Sequence, residues 1–265
     1  MITKPIAIED VRVLLPGIPA RTTRGFLGYC TISLLPFKKG WLLFDTGHYG
    51  DRYLLLEALE NLKITPQDVT CVVLSHLHYD HCLNLTLFPR ATFVLASREL
   101  QYAREVMAKQ RIDYSIPDML DSLLQNREIQ AFDSELKLGS GIKVFETPGH
   151  TPGSVALQIK KTRDIVLCGD AIKNAWEFVL GEPDMVYGSP LAARKSIQRI
   201  RNMGEILVPG HDRPFRQKER EIEFIGGTSW SISADLYPRE KGSEIFRLGY
   251  ERRSGDPAES AEKDY

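Results

Sequence analysis

Short apolar runs cut off by glycine, proline or charge alternate along this chain with stretches whose apolar residues recur every three or four positions. Asp10–Leu15 and Leu27–Leu35 are rich in β-branched and apolar residues, and Trp41–Phe44 is a compact run between Gly40 and Asp45; all three predict strands. Leu55, Leu59 and Leu62 then repeat at helical spacing with acidic residues between them, which predicts a helix. Cys71–Leu74 has the composition of a fully buried strand and runs straight into a polar, histidine-rich loop. A strand, helix, strand succession of this kind predicts an α/β layered domain.

The pattern continues with a strand at Thr92–Leu95 and two helical faces, Leu100 with Ala103 and Met107, and Met119 with Leu120, Leu123 and Leu124. The polar residues of 97–126 form no evident chemical cluster, so this stretch reads as a helical lid, with plain surface helices as the alternative. Strands follow at Ile142–Glu146, Val155–Ile159 and Asp164–Leu167, then a helix over Leu191–Met203 and a last buried strand at Ile206–Val208. No fixed-period repeat or low-complexity tract interrupts the chain. The expected division is a domain over 1–213 and a C-terminal extension over 214–265. The last stretch, Ser254–Tyr265, carries four acidic residues against one lysine and little to bury, which predicts a mobile tail.

Composition narrows the class without naming a function. The chain has 265 residues, 43% of them apolar and 26% charged, with 34 basic against 35 acidic side chains for a net charge of −1. That is long enough for a sizeable core and too neutral to predict nucleic acid or an acidic membrane as a partner. No apolar run approaches the roughly 18 residues of a membrane-spanning helix. The N-terminus reaches Glu9 and Asp10 before any long apolar stretch, unlike a signal peptide. Cys30, Cys71, Cys82 and Cys168 lie far apart with no CxxC, which fits reduced thiols and a cytoplasmic location.

The chemistry sits where buried strands give way to loops. Of six histidines, three fall in Ser75-His-Leu-His-Tyr-Asp-His81. His76 and His78 are two apart, so in an extended segment both rings point the same way, and Asp80 and His81 follow as the chain turns. Imidazole and carboxylate suit zinc and neighbouring transition metals, and burying four such groups without an ion leaves polar atoms in need of partners. His150 in Thr147-Pro-Gly-His-Thr-Pro-Gly153, Asp170 in Cys168-Gly-Asp170 and His211 in Pro209-Gly-His-Asp212 each follow another predicted strand. Ligands of open α/β sheets bind at such carboxyl ends. Cys82 and Cys168 read as small packing residues, and Arg194, Lys195, Arg199 and Arg201 as a solvated helix face.

The run His76-x-His78-x-Asp80-His81, followed by His150, Asp170 and His211, resembles the metallo-β-lactamase-fold superfamily. Asp45-Thr-Gly47 and the Pro-Gly-His loops carry the resemblance further, over roughly residues 10–213. It implies an α/β, metallo-β-lactamase-like αββα four-layer sandwich with two mixed β-sheets and the metals at one edge. His76, His78 and His150 would bind one metal and Asp80, His81 and His211 the second, with Asp170 bridging. Asp45 would support the site without binding metal. His48 matches no ligand position.

A two-metal site of this kind, holding two Zn²⁺ or other divalent ions such as Fe, Mn or Co, implies hydrolysis by a metal-bridging hydroxide, with Asp80 also carrying a proton toward the leaving group. The motif succession is similar to the lactonase-type branch, so the expected substrate is an ester, lactone or thioester of a small, largely apolar acyl compound. That branch has a tyrosine three residues after the bridging aspartate, where this chain has Lys173, which could supply a positive contact to the substrate. Leu100, Met107 and Leu123 are the expected apolar wall. Asn84–Arg90 and Val208–Phe215 also resemble a nuclease group of the same fold, so a metal-dependent phosphodiesterase or ribonuclease is one alternative. A mononuclear iron sulfur dioxygenase is another. The expected partner is a small molecule rather than nucleic acid or membrane, and homo-oligomerisation stays open.

Overall fold

A computed structural model describes residues 5–139, 141–218, 221–226, 229–234 and 244–249. The first half of the chain builds one sheet. It contains β1 (Ile6–Ile8), β2 (Val11–Leu15), a small hairpin of β3 (Arg21–Thr22) and β4 (Gly25–Phe26), then β5 (Ile32–Phe37), β6 (Gly40–Phe44) and α1 (Arg52–Asn61). β7 (Val69–Val73), α2 (Tyr79–Cys82), β8 (Thr92–Ala96), α3 (Ser97–Met107), α4 (Leu120–Leu124) and β9 (Glu128–Phe132) follow. The sheet order is β1-β2-β5-β6-β7-β8-β9, antiparallel up to β6 and parallel beyond it.

The second half repeats the plan with β10 (Glu135–Gly139), β11 (Ile142–Glu146), β12 (Val155–Lys160), β13 (Asp164–Gly169), α5 (Ala175–Leu180), α6 (Pro190–Arg201), β14 (Ile206–Pro209), β15 (Phe215–Lys218) and β16 (Glu221–Phe224). These strands pair in chain order, all antiparallel except β13 with β14. By its contacts the chain divides into Met1–Gly226 and Gly227–Tyr265. In the second unit β17 (Ser229–Ala234) pairs antiparallel with β18 (Glu244–Gly249). The tail predicted to be mobile, 254–265, lies outside the described residues.

Two-residue periodicity decides which face of each strand meets which layer. Leu34 and Leu43 turn outward to pack with Leu55 and Leu59 of α1 and Tyr102 and Ala103 of α3. Their neighbours Leu35 and Leu42 turn inward, where they meet Val144, Leu157, Leu167 and Val208 of the second sheet. On the far side of that sheet, Phe145, Val166 and Leu207 pack against Phe178 of α5 and Ile197 and Ile200 of α6. Three apolar layers thus separate four structural ones, giving the αββα sandwich with two mixed sheets.

Topology gathers the loops that matter. β6 and β7 are parallel, so both end at the same edge of the first sheet. β11 and β13 are both antiparallel to β12, and β14 is parallel to β13, so these three end together in the second. The predicted strand over Leu27–Leu35 forms only from Ile32. Before that point the backbone turns to the second sheet, with the Thr31 N–H donating to the Gly210 carbonyl.

Candidate metal centre

The loops after β7, β11, β13 and β14, with α2, bring together all seven side chains expected to bind metal. Three groups of donor atoms lie within 4.8 Å of one another: His76, His78 and His150; His76, His81 and Asp170; and Asp80, His81 and His211. All are buried. Asp170 stands between the outer two groups. Its Oδ2 is 3.3 Å from His150 Nε2, while its Oδ1 is 3.3 Å from the Nε2 atoms of both His81 and His211. Asp80 Oδ2 faces His211 Nε2 at 3.3 Å and His81 Nε2 at 3.7 Å.

Each ring has one nitrogen tied to an oxygen and the other turned into the cluster. The Met185 carbonyl can only accept, so His150 Nδ1, 2.9 Å away, donates and leaves a lone pair on Nε2. His211 Nδ1 donates likewise to the Tyr29 carbonyl at 3.1 Å. The Asp45 carboxylate accepts from His81 Nδ1 at 2.8 Å, from the Ser75 hydroxyl at 2.8 Å and from the Ser75 N–H at 2.7 Å. Ser75 Oγ, its proton given to Asp45, accepts in turn from His76 Nδ1 at 2.9 Å. His78 Nε2 bonds to Asp113 Oδ2 at 2.9 Å, which turns its Nδ1 to within 3.0 Å of His150 Nε2. Two lone pairs that close repel unless a cation accepts both. His76 Nε2, His81 Nε2 and Asp170 Oδ1 are buried with no hydrogen-bond partner among the described residues. This donor set fits transition-metal ions.

The electrostatics agree. Burial, helped by the neighbouring rings of His81 and His78, holds His76 well below the ordinary histidine value. Burial does the same for His150, so both present free lone pairs at neutral pH. Burial works against the Asp170 charge, but His211, His81 and His150 outweigh it and hold the carboxyl well below the usual range. Burial also disfavours charge on His211, yet Asp170 raises it, so positive charge is favoured where these carboxylates converge.

Local backbone serves the same end. Asp45 has φ 60°, a left-handed conformation uncommon outside glycine, and holds it where its carboxylate bonds Ser75 and His81. A Cβ on Gly210 would stand 2.2 Å from Asp170 Oδ1, so the β14 loop can pass the carboxylate only without a side chain.

Other expected residues sit as follows. His48 belongs to none of the three groups; its Nδ1 accepts from the Gly50 N–H at 2.7 Å. Cys82 and Cys168 are fully buried and free, with burial pushing both thiols up, as packing residues would be. Lys173 is 3% exposed, with Nζ 4.0 Å from Glu177 Oε1, 5.3 Å from the Phe26 ring and without a hydrogen-bond partner among the described residues. Its carbonyl accepts the His211 N–H at 2.7 Å, which ties it to the β14 loop.

The stretch 97–126 corrects the sequence reading, because it does hold a polar cluster. Buried Glu99 accepts from the Leu77 N–H, the Thr151 hydroxyl and the Gly153 N–H, joining the loop of His76 and His78 to that of His150. Asp113 bonds His78 and is itself held by the Tyr102 hydroxyl, and Tyr187 packs edge-on against His78 and His150 at 5.2 and 5.9 Å. No local spacing announces these contacts; only Ser75, adjoining the motif, was within reach of sequence reasoning. The expected apolar wall is elsewhere too. Leu123 is buried in the core outside the first sheet, and Leu100 and Met107 line a groove with Leu120 and Leu124 of α4.

Residues 25–211 match the family described as the Metallo-beta-lactamase superfamily. The chain belongs to that superfamily. It is a metallohydrolase by membership, with a His/Asp cluster suited to a divalent metal. Metallo-beta-lactamase domain-containing protein 1 of Mus musculus is 34% identical over 217 residues, which cover 78% of this chain and 74% of that protein. In the Rattus norvegicus protein of the same name the matched part is 64% of the whole. An N-acyl homoserine lactonase of Bacillus sp is 24% identical over 72% of this chain and 66% of its own. Among solved structures, a metallo-beta-lactamase-fold protein from Thermotoga maritima superposes with a TM-score of 0.64 at 21% identity, covering 78% of this chain and 99% of that one. A quorum-quenching N-acyl homoserine lactone lactonase gives 0.54 at 22%, covering 65% and 74%. At these identities the structures speak for the fold alone. No described helix is long and apolar enough to cross a membrane.

Proposed function

We propose that this chain is a cytoplasmic binuclear-metal hydrolase that opens an ester, lactone or thioester of a small, largely apolar acyl substrate. The observation that carries the reading is the Asp170 carboxylate, which offers one oxygen to His150 and the other to His81 and His211. His76, His78 and His150 would hold one ion, and Asp80, His81 and His211 the other, with Asp170 shared. Two divalent ions there, zinc foremost, would polarise a carbonyl oxygen and lower the pKa of a water between them toward ~7.

The chain's own residues supply the rest. Asp80 is the more exposed of the two carboxylates, 11% against 4% for the side chains, which supports it as the one to pass a proton to a leaving group. Lys173 brings a buried ammonium without a hydrogen-bond partner among the described residues, suited to charge developing on a carbonyl oxygen. Asp45 and Ser75 set the rings of His81 and His76. Tyr29 and Tyr79, half-exposed beside His211 and His78 in space or sequence, offer apolar surface to an acyl group. The lactonase name of the Bacillus relative supports an acyl substrate, while Lys173 in place of that branch's tyrosine supports a different acyl specificity.

The test is a rate comparison across lactones, esters, thioesters and short single-stranded RNA at two salt concentrations. The reading expects an acyl substrate to be cleaved fastest with weak salt dependence. Faster cleavage of RNA, strongly inhibited by salt, contradicts it.

A further inference from the structure

We infer that Asp113 is a positioning residue for His78, itself oriented by Tyr102, so that the segment after α3 governs the triad of His76, His78 and His150. The inference rests on the reading of that triad as a metal site. Asp113 comes from the loop between α3 and α4, 35 positions from His78, and is 4% exposed. Its Oδ2 accepts from His78 Nε2 at 2.9 Å and from the Tyr102 hydroxyl at 2.6 Å. Its Oδ1 accepts the Ser115 N–H at 2.9 Å, and the Ser115 carbonyl accepts the N–H of Tyr79, the residue after His78, at 2.8 Å. One short turn therefore grips the ring of His78 and the backbone N–H of the residue after it.

This grip has a chemical consequence at the other nitrogen. A proton held on Nε2 by a carboxylate leaves the lone pair on Nδ1, and Nδ1 is the atom turned to His150 Nε2 at 3.0 Å. A flip of the ring would put Cδ2–H there in place of the lone pair and take Nε2 off Asp113 at once. Tyr102 keeps the carboxylate from rotating away, because the phenol and the imidazole share a single oxygen. The group of Asp80, His81 and His211 has its counterpart, since Asp45 binds His81 Nδ1 in the same manner. Each ion would thus be governed through one carboxylate-bound ring, and the second carboxylate belongs to the stretch that sequence alone marks as a lid.

The experiment compares wild type, Asp113→Ala and Tyr102→Phe by chelator competition for zinc, by the visible spectrum of the cobalt-loaded protein, and by thermal melting after metal removal. The expected result for Asp113→Ala is a roughly 10–100-fold loss of affinity for one of the metal equivalents, with shifted cobalt bands. Tyr102→Phe, which keeps the carboxylate and nearly all packing, should lose affinity in the same direction but by less. A lowered melting temperature with zinc affinity and cobalt bands unchanged in both variants overturns the inference and leaves Asp113 a packing residue. If Asp113→Ala does not fold, Tyr102→Phe decides by the same two readouts. A wild-type protein that binds no metal overturns the metal reading itself, a result separate from any difference between variants.

Discussion

Oδ2 of Asp45 lies 2.8 Å from Nδ1 of His81 and accepts the Ser75 hydroxyl proton as well. One carboxylate therefore fixes two rings, His81 directly and His76 through Ser75. Asp45→Ala should weaken metal binding by roughly 10–100-fold, and Ser75→Ala by less, since it frees only the His76 ring. Chelator competition measures both. Equal affinity in wild type and Asp45→Ala would remove this orienting role.

Asp170 and His48 make the sharpest contrast, a candidate ligand against a histidine outside the cluster. Asp170→Ala removes the group that faces both sides of the cluster, so metal content and hydrolysis should both collapse. His48→Ala removes an acceptor for the Gly50 N–H and a ring packed against Tyr29, at a cost of about 1 kcal/mol in stability, and metal content should stay near that of wild type. Elemental analysis of the two variants decides; an emptied His48→Ala protein would mean the ligand set is wrong.

Glu99 ties two loops together from inside the protein, and burial raises its carboxyl above the ordinary 4.5. Glu99→Ala should cost roughly 2–3 kcal/mol, because three buried donors lose their acceptor. The sign of its pH dependence follows from proton binding. Above pH 4.5 the unfolded chain has released this proton while the folded protein still holds it, so stability from this group falls as pH rises through the raised value. The advantage of wild type over Glu99→Ala should therefore narrow as pH rises above 4.5, measured by denaturant unfolding of metal-stripped protein. A constant or widening gap would contradict the assignment.

Lys173 tests the chemistry rather than the scaffold. If its ammonium steadies charge developing on the carbonyl oxygen, Lys173→Met should lower kcat by about 10²-fold with little change in KM or metal content. An unchanged kcat would return Lys173 to an ion pair with Glu177 and nothing more.

The fold and the clustering of the candidate ligands were legible in the sequence for a common reason. Buried parallel strands such as β7 write themselves as continuous apolar runs, and a ligand loop follows each run immediately, so His76, His150, Asp170 and His211 stand out by position. β9 and β10 were missed because their residues are mostly exposed or half-buried, which dilutes the pattern. α5 carries Trp176, Val179 and Leu180 on its exposed side and offers no amphipathic signal, though its Asn174 cap and left-handed Gly181 mark both ends. Asp113, Glu99 and Tyr187 act through contacts between segments far apart in the chain, and no spacing rule on a single sequence encodes those.

The central claim is that one chain holds two ions on these seven side chains, and counting the metal tests it most directly. Protein purified without added metal should contain about two equivalents of zinc or a zinc-like ion per chain, because seven donors from four strand ends exceed what one tetrahedral ion can use. One equivalent of iron per chain, together with oxygen uptake on a persulfide, would contradict the hydrolase account and favour a dioxygenase.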